Sequence, residues 1–348
     1  MRKTYIIIVL VATLVVYASV LVSPGQLWIV GFLSMLIPFF LVFHLLGALW
    51  TINKLNRVFF YHLITLIIGL PFILVTFRIH VNQEGTEKFS VLSYNVRVFN
   101  NYAHLRNENF ESSKKMVEWS VSDDSEIKCF QEFYNKNDSD IFNVVEKMRA
   151  AGWKHVYFKK LFIDRSKAEF GAVIFSKYPI VNQGAIYDDE GKYQKAIFAD
   201  IRYMEDTIRI YSIHLKSMSI DVENVIDAEK LSRSYKQTVH RLRNGFVYRS
   251  GEVNLLARHI SESPYPVILS GDLNDMPYSY SYFKLRNILS NAFEKAGNGF
   301  GFTYNGKLFF LRIDNQFFST SFQIHGFATH REIKYSDHFP IKGVYSID

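Results

Sequence analysis

A single cysteine, Cys129, leaves this chain no internal disulfide and no cysteine-built zinc site. It lies in the strand-like run Ile127-Lys128-Cys129-Phe130, where a thiol serves as a small core side chain. From Met1 to His80 the chain lacks aspartate and glutamate altogether. The cations there are Arg2, Lys3, Lys54, Arg57 and Arg78, so this stretch supplies +5 of the net charge of +7 and the rest of the chain carries only +2. The basic pI of about 9.1 is therefore a property of the N-terminal part and not a nucleic-acid footprint. Internal repeats are absent, and so are low-complexity tracts outside the apolar runs.

What the N-terminal part has is length of apolar sequence. Residues 5–22, 27–50 and 58–77 are three runs, each about 18–25 residues and long enough to cross a hydrocarbon core near 30 Å thick. A cleaved signal peptide does not fit the first run, because more membrane-like sequence follows it without a small-residue cleavage site. Residues 1–80 thus read as an integral membrane anchor. Arg2 and Lys3 precede the first run, Lys54 and Arg57 separate the second from the third, and the Ser23-Pro24-Gly25-Gln26 turn has no charge. Positive-inside orientation puts the N-terminus and the second loop in the cytoplasm, and three crossings put everything after His80 outside it. His44 and His62 fall inside the runs and are expected between helices or at the interface.

A polar linker, residues 81–87, marks the change in composition. From 88 to 348, strand-like runs (89–96, 127–132, 171–175, 196–201, 207–214, 267–272, 314–319, 339–345) alternate with helix-like stretches (108–119, 138–151, 253–260, 280–289). That alternation predicts one α/β (α+β) domain of packed sheets with helices outside.

Several of these strands end on polar residues. Pro266-Val267-Ile268-Leu269-Ser270-Gly271 leads to Asp272, Leu273 and Asn274, and alternation puts Asp272 and Asn274 on one side. Asn95, Glu132 and His214 close three other strands, Asp337-His338 precedes the last one, and Asp314 opens another. Taken singly, each has an ordinary structural explanation, such as a turn, a solvated strand end or a core histidine. Together they form a chemical set. Oxygen ligands without paired cysteines or His-x-x-x-His spacing favour a hard cation, Mg²⁺ or Mn²⁺, over zinc. A hard cation with two histidines, two amides and an aspartate able to take a proton from water suits a phosphate ester. Since a histidine seldom pairs with its chain neighbour, Asp314 is the better partner for His338.

In this order the pattern resembles the endonuclease/exonuclease/phosphatase superfamily, the deoxyribonuclease I-like metal-dependent phosphoesterases. The matching segments are Ser93-Tyr94-Asn95-Val96-Arg97, Phe130-Gln131-Glu132, the strand from Phe170 through Pro179-Ile180, Ser212-Ile213-His214-Leu215, Ser270-Gly271-Asp272-Leu273-Asn274, Arg312-Ile313-Asp314 and Ser336-Asp337-His338-Phe339-Pro340. The resemblance covers residues 88–348 and implies a four-layer α/β/β/α sandwich. It implies Glu132 as principal metal ligand, with Asn95 close by and Asp337 available to the metal. It further implies that Asp272 aligns or deprotonates the attacking water, that Asn274 and His214 contact phosphate, and that His338, paired with Asp314, stabilises the transition state. Two positions depart from many DNA-repair members. Arg97 stands where they carry an aspartate, and could touch a phosphate instead; His214 stands where they tend to carry a tyrosine, and the histidine is closer to deoxyribonuclease I, the sphingomyelinases and the phosphoinositide phosphatases.

Two kinds of substrate remain open at this level: a lipid headgroup or other small phosphoester near the bilayer, or nucleic acid cut by a tethered extracytoplasmic nuclease. A non-catalytic scaffold would be expected to have lost some of these residues. Lys230, Arg233, Lys236, His240, Arg241, Arg243 and Arg249, with Tyr235, Phe246 and Tyr248 among them, could grip nucleic acid or sit on anionic headgroups. No obligate protein partner is readable.

Overall fold

In the computed structural model, residues 2–81, 88–106, 110–187, 194–218 and 228–347 are described. The 81–87 linker falls almost wholly outside these ranges.

The strands form two six-stranded mixed sheets. The first runs β11 (Phe322–Thr329), β12 (Ile341–Ile347), β1 (Phe89–Asn95), β2 (Ile127–Asn135), β4 (Glu169–Ser176), β3 (His155–Ile163). The second runs β5 (Ile180–Tyr187), β6 (Gln194–Tyr203), β7 (Asp206–His214), β8 (Val267–Asp272), β10 (Asp314–Phe318), β9 (Ser290–Asn291). Each sheet is built around one parallel pair, β1/β2 and β7/β8, flanked by antiparallel neighbours. Strands β3, β5, β9 and β11 have no counterpart in the sequence reading.

Side-chain alternation sorts the core into layers. Val91, Cys129, Ile174, Ile208, Ile210 and Ile268 pack between the sheets, so Cys129 is a buried core thiol, pushed up by burial. On the outer face of the first sheet, Leu92, Tyr94 and Phe130 meet Met116 and Met148 of helices α6 (Glu111–Ser122) and α7 (Val144–Ala150). On the outer face of the second, Tyr211, Ile213 and Leu269 meet α8 (Ala228–Ser261) and α9 (Tyr280–Arg286). This is the expected four-layer sandwich. Two glutamine side chains tie the sheets together. Gln131 donates to Ser93 Oγ (3.2 Å) in its own sheet and to Ser212 Oγ (3.0 Å) across the gap. Gln316 donates to the Val91 carbonyl (2.9 Å) and accepts from Tyr345 Oη (2.8 Å).

The N-terminal region differs from three plain spans. Helix α1 (Arg2–Ala18) continues as a short 3₁₀ turn to Leu21. The second run breaks between α2 (Ile29–Ser34) and α3 (Ile37–Thr51), although residues 29–54 together remain long and apolar enough to cross a membrane. The third run is two helices, α4 (Arg57–Ile68) and α5 (Leu70–Thr76), bent by 60° at Gly69 next to Pro71. Proline at the second position removes an amide donor and seeds a new helix direction. Two helices, or three if the bent pair is one span, thus qualify as membrane crossings. Polar side chains tie them: Thr13 Oγ1 lies 2.8 Å from His44 Nε2, and His44 Nδ1 lies 2.9 Å from His62 Nδ1.

The helices are not a loosely tethered anchor. Val16, Tyr17, Val20, Ile37, Phe72 and Val75 belong to the same buried cluster as Leu269, Tyr282 and Phe283 of the sandwich. Thr76 Oγ1 lies 2.6 Å from Tyr278 Oη, Arg78 pairs with Gly299 through two backbone hydrogen bonds, and the Phe246 ring occupies the space where a Cβ on Gly31 would stand. The basic segment is also reorganised. Arg249 is fully buried, 3.1 Å from Asp275, and Phe246 is buried against α2, so neither lies on an exposed basic face. Lys236, His240, Arg241 and Arg243 are exposed on α8, while the side chains of Lys230 and Arg233 are outside the described residues.

Candidate active site

Strand direction brings the polar residues together. The parallel pairs β1/β2 and β7/β8 end at the same edge of the sandwich. Strands β10 and β12 run antiparallel to their neighbours, so they begin where those strands end. Asn95 therefore sits at the end of β1, His214 pairs in register with Asp272 at the ends of β7 and β8, and Asp314 pairs with Asp272 at the start of β10. Asp337 and His338 immediately precede β12. Asn95, His214, Asp272 and Asp314 share the alternation phase of the inward-facing core residues of their strands and project between the sheets.

Glu132 reaches the same space by a different route. Residues 127, 129 and 131 of β2 face inward, so regular alternation would turn Glu132 outward. A β-bulge lies between Phe130 and Phe133, and Glu132 has a left-handed backbone with φ of 49°. At Gly271, φ is 146° and an added Cβ would stand 2.1 Å from the Ile213 carbonyl oxygen, so only glycine lets β8 run this close to β7 beside the site.

Asp272 is the hub. Its Oδ1 accepts from the Asn274 backbone amide (2.7 Å), and its Oδ2 accepts from Asn274 Nδ2 (3.2 Å) and Asn95 Nδ2 (3.2 Å). His214 Nε2 and His338 Nε2 each lie 3.7 Å from that Oδ2. Glu132 Oε1 has longer contacts, 3.4 Å to Asn95 Nδ2 and 3.7 Å to His214 Nε2. His338 Nδ1 donates to Asp314 Oδ2 at 2.8 Å, both groups buried. Arg97, expected at a substrate phosphate, has its Nε 3.5 Å from Asp337 Oδ2. Asn95 Oδ1 accepts from the Arg97 backbone amide (3.1 Å), so its NH₂ faces the two carboxylates.

Burial raises the Asp272 carboxyl above the usual carboxylate range; the histidines oppose this and Asp314 adds to it. For His338 burial works against the charge, but Asp314 and then Asp272 outweigh it and push its pKa up to about 10. The ring is thus cationic across neutral pH.

Three other side chains here were given no role in the sequence reading, although Ser336 lies within a matching segment. Thr303 Oγ1 accepts from the amides of Ile313 and Asp314 (both 3.0 Å) and fixes the start of β10. The Tyr304 ring stands edge-on to His338, centroids 5.8 Å apart. Ser336 Oγ donates to the Asn95 carbonyl (2.8 Å), linking the strand that carries Asn95 to the segment that carries Asp337 and His338. Their only sequence signal is nearness to the motifs, which does not separate them from other loop residues.

The site opens into a cleft of about 420 Å³, lined by Asn95, Glu132, His214, Asp272, Asp337 and His338 among others. Asp272, Asp314 and His338 also place ligand atoms within 4.8 Å of one another, a cluster that could hold a metal ion. Carboxylates, imidazoles and amides converging on one edge of a double sheet define a phosphoester hydrolase.

Residues 92–338 match the model of the Endonuclease/Exonuclease/phosphatase family, and the chain belongs to that family. Solved structures agree on the fold. An endonuclease/exonuclease/phosphatase from Beutenbergia cavernae is 13% identical over 75% of this chain and 72% of its own, with a TM-score of 0.54. One from Bacteroides vulgatus is 16% identical over 75% and 99%, also at 0.54. The human Nocturnin catalytic domain, solved with a bound sulfate anion, is 15% identical over 77% and 96%, at 0.53. Residues 4–76 match a separate model, described as a domain of unknown function (DUF8431). No curated protein matches the chain.

Proposed function

We propose that the chain is a membrane-anchored hydrolase that uses Mg²⁺ or Mn²⁺ to split phosphoester bonds outside the cytoplasm. The observation that carries the chemistry is Asp272, a buried carboxylate with raised pKa held by two amide side chains and faced by two histidines. Such a group is suited to align a water and take its proton. The cationic His338, held by Asp314, is set to neutralise charge gathering on phosphoryl oxygen, and His214 and Asn274 supply further donors. The sulfate bound by the Nocturnin domain, an anion of phosphate's shape, is in keeping with this.

For the metal, two oxygen-rich places compete. A protonated imidazole cannot ligate, and His338 is committed to Asp314, which speaks against the Asp272/Asp314/His338 cluster. Among the described residues the Glu132 carboxylate is met only by Asn95 Nδ2 at 3.4 Å and His214 Nε2 at 3.7 Å, and it opens on the cleft. Glu132 and Asp337 are therefore our ligands, with Asn95 beside them once its amide turns its oxygen inward. A hard cation there would supply Lewis-acid stabilisation of the phosphoryl oxygens.

The test is phosphate or alcohol release by the full chain in detergent. Turnover with Mg²⁺ or Mn²⁺ that stops on chelation and returns on readdition is expected. Chelator-insensitive turnover would refute the metal requirement. The pH profile tests His338 separately. In the wild type the rate should hold until about pH 10, where the imidazolium loses its proton. Asp314→Asn removes a charge that raises this pKa, so the alkaline limb should move down towards the ordinary histidine range. An unmoved limb would show that His338 does not govern it.

Bundle geometry supports the side of the membrane. Tyr5 and Val58 meet at one end, Thr13, His44 and His62 at the middle, and Tyr17 and Phe72 nearer the sandwich. The chain thus runs towards the sandwich, away and back, as three crossings require. Lys54 and Arg57 then sit at the far end, with α1 beginning there at Arg2 and Lys3. Because Cys129 is buried, one introduced cysteine reports topology cleanly. Met204→Cys should react with an impermeant maleimide in intact cells, and Lys54→Cys only after lysis; the reverse pattern would invert the orientation.

A further inference from the structure

Besides its polar residues, the active-site cleft has an apolar lining, and part of it comes from the N-terminal apolar segment. Met35, in the break between α2 and α3, lines the cleft beside Met218, Leu242, Phe246, Leu308 and Leu311. Ser34 lines it too. The same apolar run carries Trp28 near its start and Trp50 near its end. At a rise of about 1.5 Å per residue the run between them is at most about 33 Å long across the break between α2 and α3, of the order of a bilayer core with tryptophans at its interfaces. Met35 lies two helical turns from Trp28 along that run, or about 10 Å, on the acyl-chain side of it.

The surroundings agree with that placement. Trp28 stacks with Arg243 of α8 (5.2 Å), on the helix whose exposed residues include Lys236, His240 and Arg241. Phe309 and Phe310, between the cleft residues Leu308 and Leu311, are more than half exposed. Phe300 is also exposed and packs on Phe77 at the end of the helix bundle (5.1 Å). Exposed aromatics and cations on the segments that also supply cleft residues, α8 and 308–311, suit a surface for anionic headgroups.

We infer that the N-terminal helices complete the active site, and that its substrate is a membrane phospholipid whose headgroup phosphate meets Glu132 and Asp272 while its apolar part runs along Met35, Phe246 and Leu308. This rests on the hydrolase reading above and adds the substrate class. In the reaction water adds to phosphorus and one P–O ester bond breaks. The departing oxygen takes a proton from solvent and leaves as the alcohol, while the water's oxygen stays on the phosphate; one of the water's protons passes through Asp272 to solvent and the other stays on the new phosphate oxygen. Nucleic acid would leave the apolar wall without a partner.

The experiment uses the full chain reconstituted with Mg²⁺ and Mn²⁺. Its substrates are vesicles of phosphatidylcholine, phosphatidylethanolamine, phosphatidylglycerol and phosphatidylinositol phosphate, the same headgroup diesters without acyl chains, bis(p-nitrophenyl) phosphate and single-stranded DNA. Headgroup release from an acylated lipid at least about a hundredfold faster, in kcat/KM, than from its deacylated counterpart is expected. Met35→Asp, and separately Leu308→Asn from the other side of the cleft, should each cut that ratio about tenfold; agreement between the two guards against a misfolded bundle. Cleavage of DNA or of the soluble diesters with all lipids intact would overturn this inference and leave the hydrolase standing. No cleavage of any substrate would overturn both.

Discussion

Glu132→Ala should lower turnover about a thousandfold or more and leave the thermal midpoint nearly unchanged. A metal's stabilisation of phosphoryl charge amounts to several kcal/mol, and roughly 1.4 kcal/mol is a factor of ten in rate. The fold has little to lose, because among the described residues the Glu132 side chain makes only the 3.4 Å contact with Asn95 and the 3.7 Å approach to His214. Mn²⁺ binding, followed by the ion's paramagnetic effect on water relaxation, should weaken in parallel. Full turnover in this variant would move the metal to the Asp272/Asp314/His338 cluster. Lost turnover with intact Mn²⁺ binding would make Glu132 a group that acts on substrate rather than on the ion.

Deleting residues 1–80 should cost the sandwich its soluble, cooperatively folded state. The six bundle side chains in the shared cluster are nearly or wholly buried. At about 1.5–3 kcal/mol for each large apolar side chain, their contribution is comparable with the roughly 5–15 kcal/mol by which a domain is stable at all. The deletion also uncovers their partners, Leu269, Tyr282 and Phe283, on one face of the second sheet and α9. A fragment of residues 82–348 that is monodisperse and melts in one transition would refute the shared core.

Sequence reasoning reached the layers of the sandwich and the convergence of its polar strand ends because both follow from period-two alternation and strand direction, which are local properties. Asp272, His214 and Asp314 obey that alternation. Glu132 does not: it stood out as a polar strand end, but its inward aim depends on a bulge and a left-handed residue that alternation does not foretell. The union of bundle and sandwich was not legible either. An apolar run long enough to span a bilayer carries no mark of which side chains will face protein instead of lipid. The basic segment misled for a related reason, since counting Arg249 as surface charge ignores that Asp275, from a different element of the fold, would bury it. Strands β3 and β5 escaped notice because the first is half exposed and mixes lysines with aromatics, and the second has a glycine within it.

The two glutamines between the sheets have a mechanical consequence. Oily surfaces tolerate sliding, because dispersion is non-directional; a hydrogen bond does not. Gln131 and Gln316 act as dowels through a greased joint. Asn95 and Glu132 ride on one plate, His214, Asp272 and Asp314 on the other, and the working tolerance between them is the play those two amides allow. Gentle warming or dilute urea should therefore blunt the active centre through misalignment before either plate comes apart.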